Sequence, residues 1–274
     1  ACLFLPDNLS LREKVTHYAV LGGMPAYLLE FDFKKSLKEN IAENIIRKNK
    51  FLYQDVLFTL REELKEPRNY FSILYAIAKG NTKLGQIVND TGLEKSFVTK
   101  YMSVLIMLQL VERRVPITEK NRAKSRKGVY LLKDNFFKFW FKFVFENQEY
   151  IEQEKQEKLL NEKIMPEINT FVGRIFEDVA LSEISLDKKY KDYFFGRWWD
   201  NEYEADIVGI DRENKKILVA EVKFKELDER EIKDISYKLK EKTKRINTFK
   251  FKEHLLIISL SGDSKAGKID IQEV

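Results

Sequence analysis

The sequence predicts a multidomain α/β chain, helical over its first half and ending in an α/β core with a central mixed sheet. Three observations predict it. Apolar residues recur at helical spacing through roughly the first hundred positions. Short runs rich in β-branched and aromatic residues, bounded by charged turns, follow at 193–199, 203–210 and 216–224. Long segments of helical period, 166–184 and 229–245, flank those runs.

Composition narrows the function. With 274 residues, 44% hydrophobic and 13% aromatic, the chain is long enough for two or three cores and too apolar for general disorder. Apolar runs such as Leu255-Leu256-Ile257-Ile258 are far too short to span a bilayer. The opening Ala1-Cys2-Leu3-Phe4-Leu5-Pro6 has no basic leader, so no signal peptide is expected and a cytoplasmic protein is. It begins abruptly and without Met, as a fragment would. One cysteine and two histidines, His17 and His254, exclude a disulfide framework or a Cys/His zinc site from this chain alone. The net charge of +5 is mild, so the position of the basic residues matters more than their number. No GxxxxGK[ST] occurs, so no phosphate loop lies in this sequence.

Residues 1–66 form a helical segment. Ser10 and Glu13 have capping-box spacing, and Gly22-Gly23-Met24-Pro25 breaks the chain as a helix–helix turn. Further helices are expected at 37–48 and 53–64. Residues 67–134 carry three short helices and a hairpin. The first ends at Gly80, and the second is capped by Asn81-Thr82 and ends at Thr91-Gly92. The third buries Phe97, Tyr101, Val104, Leu105 and Leu108 and presents Ser96, Thr99, Lys100 and Ser103 outward. Strands at 111–117 and 128–132 complete a winged helix-turn-helix. The loop between them holds five cations against one anion. Lys120, Arg122, Lys124 and Arg126 alternate, so an extended backbone would set all four on one side, facing DNA phosphates. A solvated loop is the alternative.

In the linker helix 135–160, Phe136, Phe137, Phe139, Trp140, Phe141, Phe143, Val144 and Phe145 are apolar on nearly every face, as in a spine packed between domains. The final segment, 161–274, holds the candidate chemistry. Its first helix buries Ile168, Phe171, Val172, Ile175, Phe176 and Val179 and leaves Glu177 off the stripe beside Gly173 and Ala180. Glu204 and Asp206 share a face of the second strand, as Glu221 and Lys223 do of the third. Charges in a strand this apolar are costly unless paired or ion-binding. A closing strand is expected at 254–259. Lys238, Lys240, Lys242, Lys244 and Arg245 are either a second phosphate-facing patch or surface lysines near a helix C-terminus.

Glu177 on a helix, Asp206 in Glu204-Ala205-Asp206-Ile207-Val208, and Glu221-Val222-Lys223 resemble the core of the PD-(D/E)xK nuclease superfamily. That resemblance implies a restriction-endonuclease-like α/β fold. It also implies a catalytic set of Glu177, Asp206, Glu221 and Lys223, with Asp206, Glu221 and Glu177 holding Mg²⁺ or Mn²⁺. The alternative is a buried cross-strand pair beside unrelated carboxylates. More widely, Leu21-Gly22-Gly23-Met24-Pro25-Ala26-Tyr27, the winged helix, Asp134-Asn135-Phe136-Phe137-Lys138-Phe139-Trp140-Phe141 and this core resemble the archaeal-type ATPase family, similar to AAA+ or STAND proteins. By that resemblance residues 1–66 are the helical lid of an upstream ATPase module, a partner in the parent chain through which alone ATP would bind. Metal-dependent DNA cleavage is the expected function. A non-cutting DNA-binding regulator and an assembly module are its rivals.

Overall fold

The computed structural model describes residues 4–63, 67–261 and 268–274; Cys2, Leu64 and the expected boundary at residue 66 lie outside them. The chain divides into two compact units, one of Ala1–Asp7, Thr16–Arg114 and Gly128–Asn169, the other of Asn8–Val15, Val115–Lys127 and Thr170–Val274. The helices before the hairpin are α1 (Leu11–Leu21), α2 (Pro25–Leu28), α3 (Leu37–Asn40), α4 (Phe51–Glu63), α5 (Pro67–Ala78), α6 (Leu84–Thr91) and α7 (Lys95–Met107). The hairpin strands are β1 (Val111–Arg114) and β2 (Val129–Leu132). Helices α8 (Asn135–Phe139), α9 (Gln148–Glu152), α10 (Gln156–Leu159) and α11 (Met165–Leu186) follow. The chain then forms β3 (Phe194–Trp199), β4 (Glu204–Asp211), β5 (Lys216–Lys223), α12 (Glu229–Ile246), β6 (Lys252–Ser261) and β7 (Lys268–Glu273). No helix among the described residues is long and apolar enough to cross a membrane.

The first unit is built on aromatics. Phe136, Phe139, Trp140, Phe141 and Val144 are fully buried, and Trp140 Nε1 donates to the Tyr53 carbonyl at 3.1 Å. The aromatic segment is thus core of this unit, packed against Tyr53 of α4 and against Phe71 and Tyr75 of α5. It is not a regular helix, since α8 widens into a π turn over Trp140–Val144. Gly22 has φ +70°, and a Cβ there would lie 3.1 Å from Asp134 Oδ2. Asp134 in turn caps α8 by accepting from Phe137 N at 3.0 Å. Gly22→Ala is expected to cost about 1–2 kcal/mol, from the left-handed backbone and the crowded cap together. Chemical denaturation would show it, and an unchanged midpoint would mean that the turn relaxes freely.

Helices α5, α6 and α7 pack on one another, with Gly80 at φ +100° and Gly92 at φ +66° closing the first two. The cap of α6 is Lys83, not Asn81-Thr82, and its N–H donates to Gln86 Oε1 at 2.9 Å. The buried stripe of α7 is Val98, Tyr101, Met102 and Leu105; Phe97, expected inside, is 48% exposed. The buried stripe is rotated from the expected one, and the exposed Phe97 ring stacks on Tyr101. Ser96, Thr99, Lys100 and Ser103 are exposed as expected.

The hairpin is shorter than expected. β1 ends at Arg114 because Pro116 cannot donate to a ladder and Val115, Pro116 and Ile117 are buried within the second unit. There Ile117 N donates to the Arg197 carbonyl at 2.9 Å, and its side chain belongs to the buried cluster that holds Trp198, Ala205, Val208 and Ile210. Lys120, Arg122, Lys124 and Arg126 are exposed, but the loop is turned rather than extended, so alternation alone gives them no common face. Asn121 Oδ1 accepts from Lys124 N at 3.2 Å, and Glu119 binds Ser125 and Lys127. Such local contacts compete with extended backbone.

The second unit holds a five-stranded mixed sheet in the order β3-β4-β5-β6-β7. The pairs β3/β4, β4/β5 and β6/β7 are antiparallel, and β5/β6 is parallel through the α12 crossover. β7 was not expected from the sequence. Ile217, Leu218, Val219 and Ala220 are fully buried, making β5 the centre of the core.

Candidate active site

Three strands and two helices of the second unit bring the charged groups together. β4 and β5 pair with Ile207 opposite Ala220 and Val208 opposite Val219, which sets Asp206 beside Glu221 and Val222. Asp206 Oδ2 accepts from Val222 N at 2.8 Å, so the ladder itself fixes this carboxylate. Two residues along one strand face share a side, and Lys223 Nζ donates to Glu221 Oε1 at 2.8 Å. The other oxygen, Oε2, accepts from Lys242 Nζ of α12 at 2.7 Å.

Glu177 comes from α11, whose buried residues Phe171, Val172, Ile175, Phe176 and Ala180 set its register. Its Oε2 is bonded by Arg197 Nη1, while Arg197 Nη2 reaches Asp178 Oδ1 at 3.0 Å. A register shift between Gly196 and Trp198 places Arg197 at an irregularity of β3, the kind of bulge that re-aims a side chain. Ile117 crowds Gly196 so closely that a Cβ there would lie 3.2 Å away.

Electrostatics separate the acids. Burial, then repulsion from Glu221 and Glu177, pushes Asp206 up to about 7. Burial also raises Glu177, against the opposing pull of Arg197. Burial acts to raise Glu221 too, but hydrogen bonds from Lys223 and Lys242 outweigh it and hold that carboxyl below its usual range. For Lys223, burial would lower the pKa, and Glu221, Asp206 and Glu177 more than offset it. Lys223 is therefore an ammonium, a donor rather than a general base.

Sequence reasoning placed Asp206, Glu221 and Lys223 together, and the fold does so. It brings Glu177 near enough to repel Asp206, but the expected three-carboxylate metal shell does not assemble: among the described residues no group of three or more His, Cys, Asp or Glu could hold a metal ion. Arg197 takes the Glu177 oxygen instead. Sequence reasoning missed Arg197, and it left Lys242 undistinguished among neighbouring lysines.

Residues 140–235 match the family model DUF234, archaeal and bacterial proteins of unknown function. The match spans Glu177, Arg197, Asp206, Glu221 and Lys223. Over 260 residues the chain is 35% identical to an uncharacterized protein of Methanocaldococcus jannaschii, covering 93% of this chain and 57% of that protein. The chain thus spans little more than half the length of this relative. No solved structure matches the chain.

Proposed function

We propose that the second unit is a divalent-cation-dependent phosphodiester-cleaving centre of the PD-(D/E)xK kind, acting on DNA. The observation that carries this reading is the convergence of Asp206 on β4 with Glu221 and Lys223 on β5: the Val222 N–H holds Asp206 across the strand pair, beside the Glu221–Lys223 ion pair. Asp206 and Glu221 fit Mg²⁺ or Mn²⁺ as two hard oxygen donors, because Mg²⁺ commonly takes one or two carboxylates and keeps several waters. The raised Asp206 fits too, since two crowded carboxylates are what a divalent cation neutralises. When bound, the ion supplies acidification of water and polarisation of the phosphate.

Hydrolysis joins a water oxygen to phosphorus and breaks the bond to the leaving sugar oxygen. The water loses a proton, and the leaving oxygen gains one. Lys223 offers its ammonium to the water or to charge growing on the phosphate. Glu177, tied to Arg197, shapes the field around Asp206 from behind.

In this reading α5–α7 and the β1–β2 hairpin act as a winged helix. Ser96, Thr99, Lys100 and Ser103, with Lys120, Arg122, Lys124 and Arg126, contact DNA. An upstream ATPase module, joined through the helices of residues 1–66, belongs to the same proposal and rests on the family resemblance.

The test is cleavage of plasmid and branched DNA with Mg²⁺ or Mn²⁺. Wild type is expected to cut, and Asp206→Ala and Lys223→Ala to lose at least about a hundredfold in rate. A folded wild type that binds DNA without cutting would make this a regulator. Neither cutting nor salt-sensitive binding would leave an assembly module.

A further inference from the structure

Lys242 lies in a helix whose outward face is lysine-rich, yet it does not point outward. Leu239, Thr243 and Ile246 are the buried residues of α12, and Lys242 completes their spacing at i+3 from Leu239 and one turn before Ile246. Its side chain is 17% exposed, against 70% for Lys244. A lysine on a buried stripe costs free energy unless its charge is met, and Glu221 Oε2 meets it at 2.7 Å. Glu221 therefore has an ammonium on each oxygen, Lys223 at 2.8 Å and Lys242 at 2.7 Å. Each oxygen keeps a further lone pair, but two ammonium groups in contact with one carboxylate oppose a divalent cation there by charge repulsion unless one lysine withdraws. Lys223 sits on the strand beside Glu221 and is also drawn to Asp206 and Glu177. Lys242 reaches in from a different element on a four-carbon stem that is free to swing.

Building on the nuclease reading above, we propose that Lys242 occupies Glu221 in place of a divalent cation and, displaced when that cation binds, turns its ammonium to a phosphate oxygen of the nucleic-acid substrate. It is then both a competitor for the cation site and a phosphate-binding residue. These roles have opposite signatures. Losing the competitor tightens cation binding, and losing the phosphate partner slows cleavage.

The experiment compares wild type, Lys242→Gln and Lys242→Arg in the full chain, first for Mn²⁺ affinity by calorimetry without DNA, then for cleavage with saturating Mn²⁺. Lys242→Gln is expected to bind Mn²⁺ about five- to tenfold more tightly, because a positive charge beside the ligand is removed. It is expected to cut about a hundredfold more slowly, with Lys242→Arg partly restored. Weaker cation binding together with slower cleavage would mean that Lys242 only holds Glu221 in place, and it would overturn the proposal. So would a Lys242→Gln protein that matches wild type in both assays while wild type binds Mn²⁺ and cuts. A wild type that neither binds Mn²⁺ nor cuts would overturn the nuclease reading itself. Should Lys242→Gln melt far below wild type, Lys242→Met, which keeps the stem in the buried stripe, carries the same two measurements.

Discussion

Asp206→Asn is expected to stabilise the protein at pH 8 and to leave it nearly unchanged at pH 4. Asp206 is 9% exposed, and burial followed by repulsion from Glu221 and Glu177 raises it to about 7. In the unfolded chain the same group titrates at about 3.9. The folded state thus holds a proton that the unfolded chain has released, and stability falls as pH rises between those two values. Below about pH 4 both states are protonated and the contribution is intact; above about pH 7 it is gone, a loss of roughly 2–4 kcal/mol. Asparagine removes the titration and keeps an oxygen for the Val222 N–H, which lies 2.8 Å from Asp206 in wild type. Urea midpoints from pH 4 to pH 9 should therefore decline more steeply in wild type than in the variant. Curves that run parallel would show that Asp206 titrates normally. Mn²⁺ at pH 8 should restore much of the wild-type deficit and raise the variant's midpoint little, because a cation that binds only the folded state adds to stability.

The central strand was legible because its signal is local. Glu221 and Lys223 sit two apart in an apolar run, and strand alternation alone puts them on one side. Asp206 followed from the same rule on the neighbouring strand. Lys242 carried a signal too, since Leu239, Lys242, Thr243 and Ile246 form a buried helical stripe. It was hidden because a lysine in that stripe is read against a background of lysines at 238, 240 and 244. Arg197 carried no local signal. Its importance arises where an irregularity of β3 meets two acids about twenty positions earlier on α11. Alternation in the cationic loop is a weaker guide for a related reason. Alternation predicts one face only if the backbone is extended, and contacts of Glu119 and Asn121 turn it instead. β7 was missed although Ile269 and Ile271 alternate within it, because a short, half-polar run after a closing strand resembles a tail.

Arg197→Met should be among the most damaging changes in the second unit, costing about 3 kcal/mol. Its side chain is 19% exposed and those of its two acids 23% and 29%, so all three have given up most of their hydration. Methionine would fill the space but take from Glu177 and Asp178 the guanidinium that both of them meet. That is the situation in which removing one partner costs far more than the pair itself contributes. Glu177→Gln alone should cost less, because Asp178 still answers the guanidinium. In the Arg197→Met background it should recover part of the loss, a coupling that a double-mutant cycle isolates. The loss should also shrink at low pH as Glu177, which burial raises, takes up a proton. Strictly additive costs with no pH dependence would mean that solvent screens these charges despite their partial burial. If the coupling is found, Arg197 is what partly neutralises Glu177, the carboxylate whose charge also acts on Asp206.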